Sequence, residues 1–300
     1  MMPEVHVVVI WRRGLGRAGE ILADLRSRFR ILDVFRVEWS ADRFASCLIR
    51  FYEDSTMRSR SRKERHIGAG PFLLVVVEDE RPEYGPRTTS RGLAEVHTTM
   101  FDAKARYRRL TGGGHRVHGS VTAAEADRDL YFVLGRRSAS FGGEEDWDGV
   151  VQPCAKDVIG VSGWRDREQL LTDLELSLPY VLLGDGPPLT VLVEERWWAE
   201  VVGAVHNQRR GAARLTIPVG GANIEMVVGH VGDGSLDQGR QRAILASRVR
   251  DESGVFLPAD AAERVAALEG LLRGGALEAV SHGAGPAVPG WRKLIARLRR

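Results

Sequence analysis

Two unbroken apolar runs, Val5–Trp11 and Phe72–Val77, constrain this chain more than any other feature. Each is far shorter than the roughly 20 residues a membrane-crossing helix needs. Each is bounded by turn or polar residues, so both predict strands buried on both faces. Residues at helical spacing lie between them: Ile21, Leu22, Leu25 and Phe29, then the segment Ala41–Tyr52. Ile31–Trp39 alternates as a further strand. Ser55–Glu64 is polar and aperiodic and predicts a loop; Gly85–Ser90 predicts a turn. Helical spacing resumes late in Ala94–Leu110, Gly112–Gly114 breaks it, and Arg116–Gly119 predicts a short strand before a helix over Ala123–Leu134. This mixed order of short strands and helices predicts an α+β sandwich.

At 300 residues, two domains are expected. Arg136–Asp157 is rich in Gly, Ser and acids, which places a linker over 138–162 between domains 1–137 and 163–300. Residues 1–137 carry 25 Lys+Arg against 18 Asp+Glu, and residues 138–300 carry 18 against 22. The basic half is therefore expected to attract an anion. Two cysteines, Cys47 and Cys154, form neither a zinc pattern nor a disulfide framework, and the start of the chain lacks a basic region before a long apolar stretch. Both features point to the reducing cytoplasm. No transmembrane segment is expected, and no aromatic-interleaved basic motif points to nucleic acid. In the second half, a Gly184–Pro188 turn separates strands Tyr180–Leu183 and Thr190–Val193, a hairpin crosses Gly220-Gly221, and the last segment, Trp291–Leu298, is basic and amphipathic.

The stretch from Gly112 to Ser120 carries the most chemistry. His118 is followed by Gly119, which turns without a Cβ clash, and by Ser120, which with Thr122 is a candidate helix cap. Asp129 follows eleven residues later, on the helix. Folded back, it can accept from imidazole Nδ1 and leave Nε2 nucleophilic. No acidic cluster marks a metal held by the protein itself.

With the element order, these residues resemble nucleoside diphosphate kinase over 1–137. The likeness also covers Arg17–Ile21, Phe51-Tyr52 and Gly70-Pro71. It implies a ferredoxin-like sandwich and a phosphotransferase with His118 as phospho-acceptor, Asp129 as its orienting acid and Ser120 as a nearby hydroxyl. It implies a nucleotide such as ATP with its Mg²⁺, a small phosphorylated acceptor and a homo-oligomer. Where the family has Lys-Pro-Asp-Gly, this chain reads Trp11-Arg12-Arg13-Gly14, making Arg12 and Arg13 phosphate-binding candidates. The family's arginine before the histidine falls on Ala105, between Lys104 and Arg106. His115 stands at a polar ligand-contacting position, and Arg87 and Arg91 are candidates for a second phosphate contact. The second half resembles a nucleotidyltransferase-like α+β domain, but Leu189–Leu192 stand where that family has its Asp-x-Asp pair. Glu225 is the candidate surviving acid, with Asp185, Asp233 and Asp237 nearby in the chain. The alternative expectation is a non-catalytic nucleotide-binding or scaffold protein with two degenerate enzyme domains.

Overall fold

A computed structural model describes residues 2–53, 63–89, 92–142, 146–203 and 211–281. The chain is mixed α+β and divides into two compact units, Met1–Val161 and Ser162–Arg300. Among the described residues no helix is long and apolar enough to cross a membrane.

In the first unit, β1 (Glu4–Ile10) leads through a 3-10 turn at Arg12–Arg17 into α1 (Ala18–Arg26). Then come β2 (Arg30–Val37), α2 (Phe44–Tyr52) and β3 (Phe72–Asp79). A hairpin of β4 (Tyr84–Thr89) and β5 (Gly92–His97) precedes α3 (Thr98–Leu110). Next are β6 (Val117–Gly119), α4 (Ala123–Leu134) and β7 (Gln152–Cys154). The five-stranded sheet runs β6-β1-β3-β2-β7, antiparallel except at the β2–β7 pair. β1 and β3 are central, as their apolar runs require, with Val8 opposite Val75.

The period of two in each strand sends alternate side chains to opposite faces. Val8, Ile10, Val75 and Val77 meet Ile21 and Leu25 of α1 and Met100, Ala103 and Tyr107 of α3 in one core. On the other face, Trp11, Trp39, Phe51 and Phe72 form an aromatic cluster with ring centroids 4.5–6.3 Å apart. Edge-on and tilted ring pairs of this kind add about 0.5–1.5 kcal/mol each beyond burial. α4 begins on a pair of side-chain caps. The Thr122 side chain accepts from Glu125 N (3.1 Å) and Glu125 Oε2 accepts from Val121 N (2.6 Å). The helix ends at Gly135, whose φ of +70° suits glycine.

Two expectations are corrected. Gly85–Ser90 is strand rather than turn through Thr89, because cross-strand pairing with β5 decides its conformation. The segment 138–161 is part of the first unit rather than a linker. Its β7 pairs with β2, Trp147 N donates to Ile31 O (3.0 Å), Phe141 packs on Phe35 and Ile159 N donates to Phe132 O (3.0 Å). Its Gly and Ser content reflects turns, not detachment. Most of Ser55–Glu64, together with Trp291–Leu298, lies outside the described residues.

The second unit contains α5 (Arg167–Ser177), β8 (Tyr180–Gly184), β9 (Leu189–Val193), α6 (Trp197–Gly203), β10 (Ala213–Val219) and β11 (Ala222–His230). α7 (Gln238–Ala246) and α8 (Ala261–Ser281) follow. Its sheet runs β10-β11-β9-β8, with β9 and β11 parallel. Ile244, Leu245, Leu268 and Leu271 cover one sheet face.

Trp11 has no exposed surface and donates Nε1–H to Tyr52 Oη (3.1 Å). Trp11→Ala should destabilise the first unit by about 3–5 kcal/mol, because the surrounding rings cannot close the void. Urea unfolding checks this, and a midpoint equal to the wild type's contradicts the packing described.

Candidate active site

β6 is short, yet its position beside β1 fixes the site. His118 lies opposite Val9 in register, and its ring is edge-on to Phe51 (5.2 Å) and Tyr52 (5.7 Å), the last two aromatic residues of α2. Two cations of α3 tie down the carbonyls on either side of it. Lys104 Nζ donates to Gly119 O and Arg108 Nε to Val117 O, both at 2.9 Å. Burial pushes both the Lys104 ammonium and the Arg108 guanidinium below their ordinary values.

His118 Nε2 lies 2.7 Å from Asp129 Oδ2 on α4. The other carboxylate oxygen accepts from Arg128 Nη2 (2.8 Å) and Nε (3.2 Å). Arg128 Nη1 in turn donates to Glu53 Oε2 (3.1 Å). Asp129 is fully buried. Burial alone would raise its carboxyl; the charges of Arg128 and His118 and their hydrogen bonds outweigh that and hold it below the usual carboxylate range. An ionised carboxylate only accepts, so the proton of this contact belongs to Nε2. The expectation that Asp129 takes Nδ1 is therefore reversed: Nδ1 is left with its lone pair. It has no hydrogen-bond partner among the described residues. The whole residue keeps 6% of its surface exposed.

The remaining candidates divide. Ser120 is not a hydroxyl beside His118: its Oγ is sealed against His6 Nδ1 (3.2 Å) and accepts from Val7 N (3.0 Å). Thr122, not Ser120, caps the helix. Arg106 binds Asp24 (2.8 Å), and Arg87 binds Asp102 (3.2 Å), so neither is aimed at the imidazole. Arg12 and Arg13 lie over Gly70 and Gly68, in the loop before β3. His115 stands edge-on to His66 at 5.8 Å. Arg91 lies outside the described residues. Sequence reasoning missed Glu125, Arg128 and Glu53. The first was legible, since residues 125 and 129 are one helical turn apart. Glu53 was not, because it reaches Arg128 from a left-handed residue (φ 53°) that ends α2.

His118, Glu125 and Asp129 are the one group among the described residues whose donors come within 4.8 Å of one another, where no such cluster was expected. The set does not fit a resident Mg²⁺. That ion needs near-octahedral oxygen ligands, whereas both Asp129 oxygens and one of Glu125 are already bonded. In the second unit, β9 is buried throughout and offers no carboxylate. Glu225 is exposed on β11 and Asp185 pairs with Arg167. Asp233 accepts from His230 N, Ser235 and Gln241, and Asp237 caps α7. Asp233 thus holds a loop and Asp237 a helix end. No protein-family model matches the chain, and no curated protein matches it.

His6, which holds Ser120, is fully buried beside His97 (4.5 Å). Burial, and the neighbouring His97, push its imidazole down to about 3 from 6.5, against the pull of Asp79. The folded state thus stays unprotonated at His6 where the unfolded chain binds a proton. Stability is full above about 6.5 and is lost as pH falls towards about 3. Urea midpoints should fall through that window and fall less in His6→Gln. Equal pH slopes for both proteins contradict the assignment.

Proposed function

We propose that the first unit is a nucleotide-dependent phosphotransferase of the nucleoside diphosphate kinase type, working through His118. The observation that carries this reading is the 2.7 Å contact between Nε2 and a buried, ionised Asp129. The strand order β6-β1-β3-β2, antiparallel throughout, supports it, since a ferredoxin-like sandwich has that arrangement. The Nδ1 lone pair attacks the terminal phosphorus of a Mg²⁺–nucleotide, the magnesium arriving with this substrate. A P–N bond forms as the bond to the bridging oxygen breaks, and its electron pair leaves with the nucleoside diphosphate. The ring becomes cationic while keeping its Nε2 proton, and Asp129 stabilises that charge. An oxygen of a small phosphorylated acceptor then takes the phosphoryl group, and the electron pair returns to Nδ1. A cytoplasmic setting and self-association are parts of the same reading.

The 6% exposure of His118 favours a second reading, a nucleotide-binding scaffold without turnover. The second unit belongs to that reading too: whatever its kinship to nucleotidyltransferases, β9 lacks the carboxylate pair that two-metal chemistry needs.

Incubation with γ-labelled ATP and Mg²⁺ separates the two. The phosphotransferase reading predicts an acid-labile, base-stable label on the wild type, none on His118→Ala, and label slowed about 10²-fold or more in Asp129→Asn. Nucleotide-dependent thermal stabilisation with no label selects the scaffold. An unlabelled wild type that no nucleotide stabilises overturns both.

A further inference from the structure

Glu125 and Asp129 each have one carboxylate oxygen anchored and the other close to the same ring nitrogen. Asp129 Oδ1 accepts from Arg128 Nη2 and Nε, and Glu125 Oε2 accepts from Val121 N. Asp129 Oδ2 then lies 2.7 Å from His118 Nε2, and Glu125 Oε1 lies 3.9 Å from it. Oε1 is too far from the ring for a hydrogen bond and makes none with another described residue. Residues 125 and 129 are one helical turn apart, so both side chains share a face of α4.

An imidazole nitrogen and two fixed carboxylate oxygens are ligands suited to zinc, whereas magnesium needs a near-octahedral shell of oxygens. Zn–N and Zn–O bonds of about 2.0–2.2 Å at tetrahedral angles set ligand atoms about 3.3–3.6 Å apart. The contacts of 2.7 and 3.9 Å bracket that spacing, so a small side-chain movement suffices. The bonds from Arg128 and from Val121 N are outer contacts of the kind that orient ligating carboxylates. Glu125 keeps 24% of its side chain exposed, which gives an ion a way in to the buried His118 and Asp129.

We propose that His118 Nε2, Glu125 Oε1 and Asp129 Oδ2 bind one Zn²⁺, with the fourth position left to a small ligand from solvent. Lys104 and Arg108 border the acids, so that position favours an anion such as hydroxide or chloride over neutral water. Coordination uses the Nε2 lone pair. The ring proton therefore leaves Nε2, a proton is taken up at Nδ1, and the imidazole stays neutral. The Nδ1 lone pair of the metal-free protein becomes an N–H in the zinc form. Zinc thus inhibits phosphoryl transfer; this consequence alone rests on the phosphotransferase reading.

The test titrates Zn²⁺ into full-length protein previously stripped of metal with a chelator, in the absence of nucleotide. Calorimetry reads the binding, and long-range ¹H–¹⁵N correlation reads the His118 ring. One equivalent should bind, with Nδ1 becoming protonated as Nε2 loses its proton. Glu125→Gln keeps an acceptor for Val121 N and should weaken Zn²⁺ at least tenfold, as should Asp129→Asn. Where the wild type takes the label from γ-labelled ATP, saturating Zn²⁺ should abolish it. Absence of stoichiometric binding overturns the proposal, as does unchanged affinity in both variants, an Nε2 that keeps its proton at saturation, or a label undiminished by zinc. A protein that takes the label but binds no zinc contradicts the zinc site alone. One that binds zinc in this way but never takes the label contradicts the phosphotransferase reading alone.

Discussion

The bond between His118 Nε2 and Asp129 Oδ2 is held by β6 and by three helices of the first unit, α2, α3 and α4. A buried carboxylate is costly unless its charge is matched. Here Arg128 matches it, Glu53 matches Arg128, and Glu53 can do so because α2 ends in a left-handed residue. β6 brings the imidazole and α4 brings the acid. α3 fastens the strand from the other side through Lys104 and Arg108. Removing the Asp129 carboxylate would leave the half-buried Arg128 with Glu53 alone. Its chemical consequence is one of direction: a histidine whose Nε2 proton is held by an acid presents Nδ1 as its reactive nitrogen.

Much of this was legible in the sequence where local rules decide. The apolar runs marked β1 and β3, helical spacing marked α1 and α4, and the His118-Gly119-Ser120 turn with Asp129 marked the centre of the site. What escaped was decided by long-range partners. The β4–β5 hairpin looks like turn material because its glycine, proline and serine carry no strand propensity; pairing supplies the strand. Residues 138–161 look like a linker because their contacts, Phe141 with Phe35 and β7 with β2, are with residues a hundred positions away. Polar composition does not reveal such distant pairing.

The arginines teach the same lesson about charge. The first half is rich in them, but a count cannot say which are committed. Arg87 and Arg106 are spent on Asp102 and Asp24, and Arg128 on the internal network. Arg12 has no acidic partner among the described residues and lies over Gly70. In the second unit the candidate acids are likewise committed: Asp185 pairs with Arg167, Asp233 holds a loop and Asp237 caps a helix. The proposed chemistry therefore rests on the first unit, around one imidazole.

The tautomer of that imidazole tests the account most directly, and it can be read without substrate. Long-range ¹H–¹⁵N correlation at a pH above the imidazole range, with His118 assigned by substitution, reports which ring nitrogen carries the proton. The structure predicts a protonated Nε2 and an unprotonated, pyridine-type Nδ1. A proton on Nδ1 would contradict the Asp129 contact, the placement of the reactive nitrogen and the mechanism built on both.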